Sequence, residues 1–351
     1  MTSRMTGVDP MIGHSNRSGR KMKRRFSELW LISCCLAISL TLLACGPSKA
    51  MVACHRGDEA RQNEKHDMAI GCYSEAILLD PQLVQAYYGR GYAYVAKSEP
   101  DKAIADLDAA IRLDAKLTAA YAARGIAHLA KGDHDKAFAD LNEAVRQAPN
   151  NAASYLGRGR VLSDKAEHDK AIADYSEAIR LNPKLEMAYY HRGCEYFAKQ
   201  NHDQAIADYT EVLRITPNHV KALSYRGHSH YDTRHYEEAV SDFSKCIRLE
   251  PQSANAYNNL AWVMAVCPDA KIRNGKKAVE YARKACEIDG WKTWNNLGTL
   301  AAACAEVRNF EEAVKWQKKC LEMQPPKEEL AKARRALALY EQKKPNREDQ
   351  E

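Results

Sequence analysis

The strongest constraint on this chain is a period of 34 residues. The tetrads Tyr87-x-x-Arg90-Gly91, Tyr121-x-x-Arg124-Gly125, Tyr155-x-x-Arg158-Gly159 and Tyr189-x-x-Arg192-Gly193 follow one another at that interval. A fixed period of this size marks a tandem array of one supersecondary unit, whose copies bury their apolar faces only by stacking on their neighbours. Extending the register in both directions gives eight units, at 50–83, 84–117, 118–151, 152–185, 186–219, 220–253, 254–293 and 294–327. Position 8 of the unit is Gly57, Gly91, Gly125, Gly159, Gly193, Gly227, Ala261 and Ala301, and position 20 is Ala in every copy, from Ala69 to Ala313. A glycine inside a helix costs ~1 kcal/mol relative to alanine, so these glycines imply that two helices approach closely there. Pro81, Pro149, Pro183, Pro217, Pro251 and Pro325 recur where the second helix of a unit must stop, with Ala115 and Gly290 in the corresponding places of units two and seven.

These residues and spacings resemble the tetratricopeptide repeat (TPR) family, whose unit is a helix hairpin with small residues at positions 8, 20 and 27 and Pro at 32. The resemblance implies an all-α fold, an α-solenoid in which helix hairpins wind into a right-handed superhelix. Position 27 here is again small, from Ala76 to Cys320. Unit seven carries an extra stretch at about 267–276 (CPDAKIRNGK), read as a loop on one face of the array. After Pro325-Pro326, the apolar stripe Leu330, Ala333, Leu337 and Tyr340 predicts a C-terminal capping helix over 328–343, followed by a tail at 344–351.

Residues 1–44 read as an address. The basic cluster 20–25 (RKMKRR) precedes the uncharged apolar run 29–45 (LWLISCCLAISLTLLAC), the order of a secretory signal. Its end, Leu42-Leu43-Ala44-Cys45, is similar to the bacterial lipoprotein box, which implies Cys45 as the lipidated residue and 45–49 as a short linker. Met22 would open a leader of ordinary length. The expectation is an exported, membrane-anchored lipoprotein of the cell envelope, facing the periplasm. An uncleaved single-pass anchor and plain secretion are the alternatives.

The net charge of +6 is concentrated in that address, which holds a surplus of five basic residues. The near-neutral remainder argues against a nucleic-acid partner. HExxH, a phosphate loop, GxSxG and a dinucleotide fingerprint are all missing from the sequence, so no reaction, no cofactor and no metal site is expected. His66-Asp67, His134-Asp135, His168-Asp169 and His202-Asp203 repeat at one turn position, and stacked layers roughly 10 Å apart are too distant to share one ion. They read as turn histidines followed by an aspartate favourable to a helix N-terminus. Arg90, Arg124, Arg158, Arg192 and Arg226 could form a phosphate-binding stripe, but each is accompanied by Asp106, Asp140, Asp174, Asp208 or Asp242 in its own unit. Repeated, partly buried ion pairs are the reading adopted. Cys267 and Cys286 fall in one unit and could close a disulfide in an oxidising compartment, or pack as free thiols.

In the TPR family, positions 5, 6, 9 and 12 of each first helix line a concave groove. Here the resemblance places there Tyr88 and Tyr92; Arg160; Tyr190, His191 and Phe197; Tyr225, His228 and Tyr231; and Asn258, Asn259 and Trp262. Positions 4, 8 and 11 already supply the core, so these side chains look surplus to packing. Aromatics interspersed with His, Asn and Arg suit a protein or peptide partner. The chaperone-tail-binding subgroup needs a clamp of Lys, Asn and Arg that Cys54, Asp58 and Gly89 do not supply. The functional expectation is a protein-binding adaptor at the envelope, with a glycan-binding or enzyme-accessory role for the aromatic groove as the alternative.

Overall fold

The structure, a computed structural model, describes residues 48–347. The leader, Cys45 and the last four residues lie outside it. The described residues contain seventeen helices and no strand, and they divide into two compact units, 48–191 and 192–347.

The first unit holds four helix hairpins. These are α1 (Lys49–Gln62) with α2 (His66–Leu79), α3 (Val84–Ala96) with α4 (Pro100–Leu113), α5 (Thr118–Lys131) with α6 (His134–Gln147), and α7 (Ala152–Asp164) with α8 (His168–Leu181). The close approach inferred from position 8 is explicit: a Cβ on Gly159 would lie 2.7 Å from the Tyr175 ring, and one on Gly125 would lie 2.7 Å from Leu141 Cγ. Position 8 is therefore the socket for position 24 of the partner helix, and Tyr73, Leu107, Leu141 and Tyr175 are fully buried there.

Each first helix ends in the same way. Glu64, Ser98, Gly132 and Ala166 adopt left-handed backbone, with φ between 57 and 82°. The next residue donates its N–H back to the last helical turn, as Lys65 does to Ala60 (2.9 Å) and Glu167 to Leu162 (2.9 Å). This is the Schellman closure, which satisfies carbonyls that a helix end leaves open. The second helices stop at an extended residue before proline, such as Asp80 (φ −145°) and Asn182 (φ −140°). Asp114 has the same shape (φ −142°) although Ala115 follows it, so the turn forms there without proline.

The helix α9 (Glu186–Ala198) spans the division. The second unit continues with α10 (His202–Ile215), α11 (Val220–Asp232), α12 (Tyr236–Leu249), α13 (Ala254–Val266), α14 (Gly275–Asp289), α15 (Trp294–Glu306), α16 (Phe310–Glu322) and α17 (Lys327–Glu341). Between α13 and α14 the left-handed closure is absent. Cys267 is extended (φ −50°, ψ 134°) and residues 267–274 form the inserted loop. Arg273 pins it, donating Nη1 to the carbonyls of Cys267 (2.6 Å) and Pro268 (2.7 Å) and Nε to Glu306 (3.2 Å), while Arg347 reaches the same Glu306 (3.1 Å). The final helix α17 buries Ala333, Ala336 and Tyr340, and Gln317 donates to the Ala333 carbonyl (3.0 Å).

Candidate functional site

Two faces of the hairpins carry the side chains singled out from the sequence. On the first, each arginine at position 7 grips the aspartate at position 23 of its own repeat with two bonds. Arg90 Nε and Nη2 donate to Asp106 at 2.7 and 2.8 Å, Arg124 to Asp140 at 2.8 and 2.6 Å, and Arg158 to Asp174 at 2.8 and 2.8 Å. In the second unit Arg192 reaches Asp208 at 2.9 and 2.7 Å, and Arg226 reaches Asp242 at 2.8 and 2.8 Å. All five aspartates are buried. Burial pushes the Asp208 carboxyl up, against the opposing pull of Arg192, and the Asp106 carboxylate raises Arg90 further.

The third nitrogen also has a partner. Nη1 of Arg90, Arg124, Arg158 and Arg226 donates to Ser74 (2.9 Å), Asp108 (2.6 Å), Asn142 (2.8 Å) and Thr210 (3.1 Å) of the preceding repeat. These arginines thus tie one repeat to the next, and each of their three nitrogens has a protein partner. The corresponding signal in the sequence is a small polar residue at position 25. The turn histidines behave similarly: His134 and His202 each open a second helix and stand 3.7 and 3.6 Å from Asp164 and Asp232 of the following repeat.

The other face belongs to the first helices. In residues 48–191, Tyr92 is half-buried, 6.3 Å from Tyr88 and beneath the Arg61 guanidinium at 5.3 Å. Arg61 also donates to Tyr73 Oη (3.1 Å) and Asp58 (3.2 Å), a cluster the sequence reading missed because position 12 is Arg only in this repeat. Arg160 is half-buried. The His191 ring lies edge-on to Tyr190 (5.5 Å) and stacks on Tyr175 (5.7 Å).

In residues 192–347 the same face is formed by the end of α9 with α11 and α13. Phe197 meets Tyr225 edge-on at 5.4 Å, and Tyr225 stacks on Tyr209 at 5.8 Å. His228 abuts the Phe243 ring at 5.1 Å, and its Nε2 lies 3.1 Å from Asn259 Nδ2. Because Asn259 donates, Nε2 must be the unprotonated nitrogen. Burial, which lowers the His228 pKa to about 4, keeps the ring neutral. Trp262 is half-buried, its buried Nε1 has no hydrogen-bond partner, and neither has Asn258 Oδ1.

Three of the residues expected in the groove are instead core. Tyr88, at 7% exposure, packs with Leu107 and Ala123; Tyr231, at 4%, fills the space between α11 and α13 with Phe243, Leu260 and Val263; Asn258 is likewise 4% exposed. Stacking draws these side chains between adjacent hairpins, so they are not surplus to packing. Cys267 and Cys286 are fully buried and pack in different apolar clusters, one around Tyr231 and Phe243, the other around Leu297 and Cys304. Burial pushes the Cys286 thiol up to about 12, so it carries no thiolate character.

Five models of this repeat match the chain. One described as TPR repeat matches 57–98, and others described as tetratricopeptide repeat match 95–152, 122–186, 187–219, 220–253 and 293–327. The chain belongs to the tetratricopeptide repeat family. Proteins with TPR units generally mediate protein–protein interactions, and the TPR fold is typically a non-catalytic scaffold. No curated protein sequence matches the chain. Among solved structures, it is similar to Pseudomonas aeruginosa PilF, with 16% identity and a TM-score of 0.54 over 59% of this chain and 94% of that one. The Cut9–Hcn1 hetero-tetramer of the APC/C matches with 16% identity and a TM-score of 0.53 over 92% of this chain and 59% of that one. A tetratricopeptide repeat protein from Parabacteroides merdae shares 20% identity over 74% of this chain and 98% of that one, with a TM-score of 0.48. At these identities the likeness to the first two concerns the fold.

Proposed function

We propose that this TPR protein is an envelope adaptor, tethered by lipid at Cys45, that holds a protein or peptide partner on the first-helix face of α11 and α13. The observation that carries the binding face is the conjunction at Trp262. A large half-buried indole sits on the same helix as Asn259, one turn away, and Asn259 is hydrogen-bonded to His228 at 3.1 Å. Large aromatic side chains beside hydrogen-bonding groups are what a protein or peptide partner docks against. Tyr225 and Phe197 extend the apolar part of the face. The two central aromatics are the anchors, and truncation of such an anchor typically costs ~2 kcal/mol or more, about thirtyfold in affinity.

Tyr225→Ala combined with Trp262→Ala is expected to abolish partner capture while helicity is kept. Undiminished capture by a folded double variant refutes this face. The tether is tested separately. Cys45→Ser is expected to leave the leader unprocessed or release the protein from the membrane fraction, and unchanged processing and retention refute the lipid.

A further inference from the structure

The outer surface of the first repeat departs from the rest of the array. At position 29 the next five repeats carry Arg112, Arg146, Arg180, Arg214 and Arg248, whereas the first carries Leu78. At position 19 the next three repeats carry Lys102, Lys136 and Lys170, whereas the first carries Met68. Both replacements are on the surface: Leu78 is 84% exposed and Met68 57%, joined by Leu79 at 48% and Val52 at 44%. Met68, Gly71, Glu75 and Leu78 recur at helical spacing, so the two apolar side chains share one stripe of α2. The loss of the arginine re-routes its partner. Glu143 and Glu177 each take the arginine three residues on, while Glu75 at the equivalent place takes Arg56 from α1 at 2.6 Å.

A terminal repeat has no neighbour on one side and ordinarily carries a polar outer face for solubility. At the other end α17 meets that need with exposed Lys332, Arg334, Arg335 and Glu341. The first repeat has exchanged charge for apolar surface instead, and the chain that precedes it indicates what meets that surface. The helices α1 and α2 run antiparallel, as the Arg56–Glu75 and Arg61–Tyr73 contacts require, so the end of α2 with Leu78 and Leu79 lies beside the start of α1. That start, at Lys49, is four residues from Cys45, where the apolar run 29–45 ends. Four extended residues span at most ~14 Å, about twice the interfacial layer of a bilayer, which is roughly 5–8 Å deep on each side.

We infer that the apolar end of the first repeat, Val52, Leu78 and Leu79 with Met68 farther along α2, rests on the lipid surface beside the anchor and fixes how the first unit stands on it. This rests on the tethering proposed above. Exposed leucine and valine at such an interface bury apolar area among the acyl boundary, as an interfacial helix does, without spanning the membrane.

The test uses the full-length protein processed in cells and reconstituted into phosphatidylethanolamine–phosphatidylglycerol vesicles. It carries an environment-sensitive fluorescent amino acid at residue 78 or, as a water-facing control, at residue 180. Quenching by doxyl-labelled lipid is expected to be several-fold stronger at 78 than at 180, with aqueous iodide showing the reverse order, and Leu79→Arg is expected to shrink that contrast. A protein retained on vesicles whose residue 78 is quenched by iodide as readily as residue 180 overturns the docking and leaves the tether standing. Protection of residue 78 from both quenchers, with self-quenching between copies, assigns the face to a second copy and overturns it as well. A chain that does not associate with membrane overturns both readings.

Discussion

Asp174→Ala isolates one of the repeated arginine–aspartate bridges. Asp174 is 7% exposed and accepts from Arg158 Nε and Nη2, both at 2.8 Å, while Arg158 Nη1 keeps Asn142 at 2.8 Å. Truncation leaves two guanidinium donors without acceptors. Removing one partner of a fully buried ion pair costs ~3–5 kcal/mol, whereas losing a hydrogen bond to a charged group costs ~1.5–3 kcal/mol. The Arg158 side chain retains 18% of its exposure, so water reaches part of the stranded charge, and a loss of about 2–3 kcal/mol is expected. Urea unfolding followed by far-UV circular dichroism reads this as a lowered midpoint at unchanged starting helicity. Arg158→Met with Asp174→Leu should recover most of the loss, because no charge is then left unpaired. An Asp174→Ala variant within ~0.5 kcal/mol of the parent, the range of ordinary surface substitutions, would refute the structural role and return the arginines to consideration as a ligand site.

Two glycines should respond in opposite directions. Gly125→Ala puts a Cβ 2.7 Å from Leu141 and 3.2 Å from the Ala137 carbonyl and is expected to destabilise by ~1–3 kcal/mol in thermal or urea unfolding. Gly71→Ala, inside α2 with nothing within 4 Å of the new atom, is expected to stabilise by ~0.5–1 kcal/mol. His228 sets an acid limit on the second unit. Its folded pKa of about 4 lies below the 6.5 of a free imidazole, so the folded chain binds fewer protons than the unfolded one. Its contribution is complete above pH ~6.5 and is lost as pH falls toward ~4, on the order of 3 kcal/mol in all. His228→Phe should flatten stability across that window, and an unchanged pH profile would show that the imidazole is solvated in the folded chain.

The fold was legible because its constraints recur. Eight alanines at position 20 and six glycines at position 8 each mark the same close approach, and repetition turns a weak local preference into a period. The left-handed closure of the first helices was not legible, because glycine occupies it only at Gly132, with Glu64, Ser98, Ala166, Gln200, Arg234 and Arg308 elsewhere. Those side chains tolerate the conformation at a cost of ~1–2 kcal/mol that the Schellman bonds offset in part. The arginine–aspartate partners were visible as a co-recurring pair, but the second contact to the preceding repeat varies among Ser74, Asp108, Asn142 and Thr210 and so carries no single-letter signature. Position within the repeat gave the face of each aromatic but not its depth. Tyr225 and Tyr231 lie on one helix, six residues apart, yet only Tyr231 is buried, because Leu260 and Val263 of the next first helix close over it.

We propose that a protein partner sits on the first-helix face of α11 and α13. A photo-crosslinking amino acid at residue 262 of the full-length protein in intact cells tests it, with the same group at the exposed residue 248 of α12 as the control. One discrete adduct is expected from residue 262, lost when Tyr225→Ala is added, and none from residue 248. Adducts of equal yield from both positions, or none from 262 while 248 reacts, would contradict it.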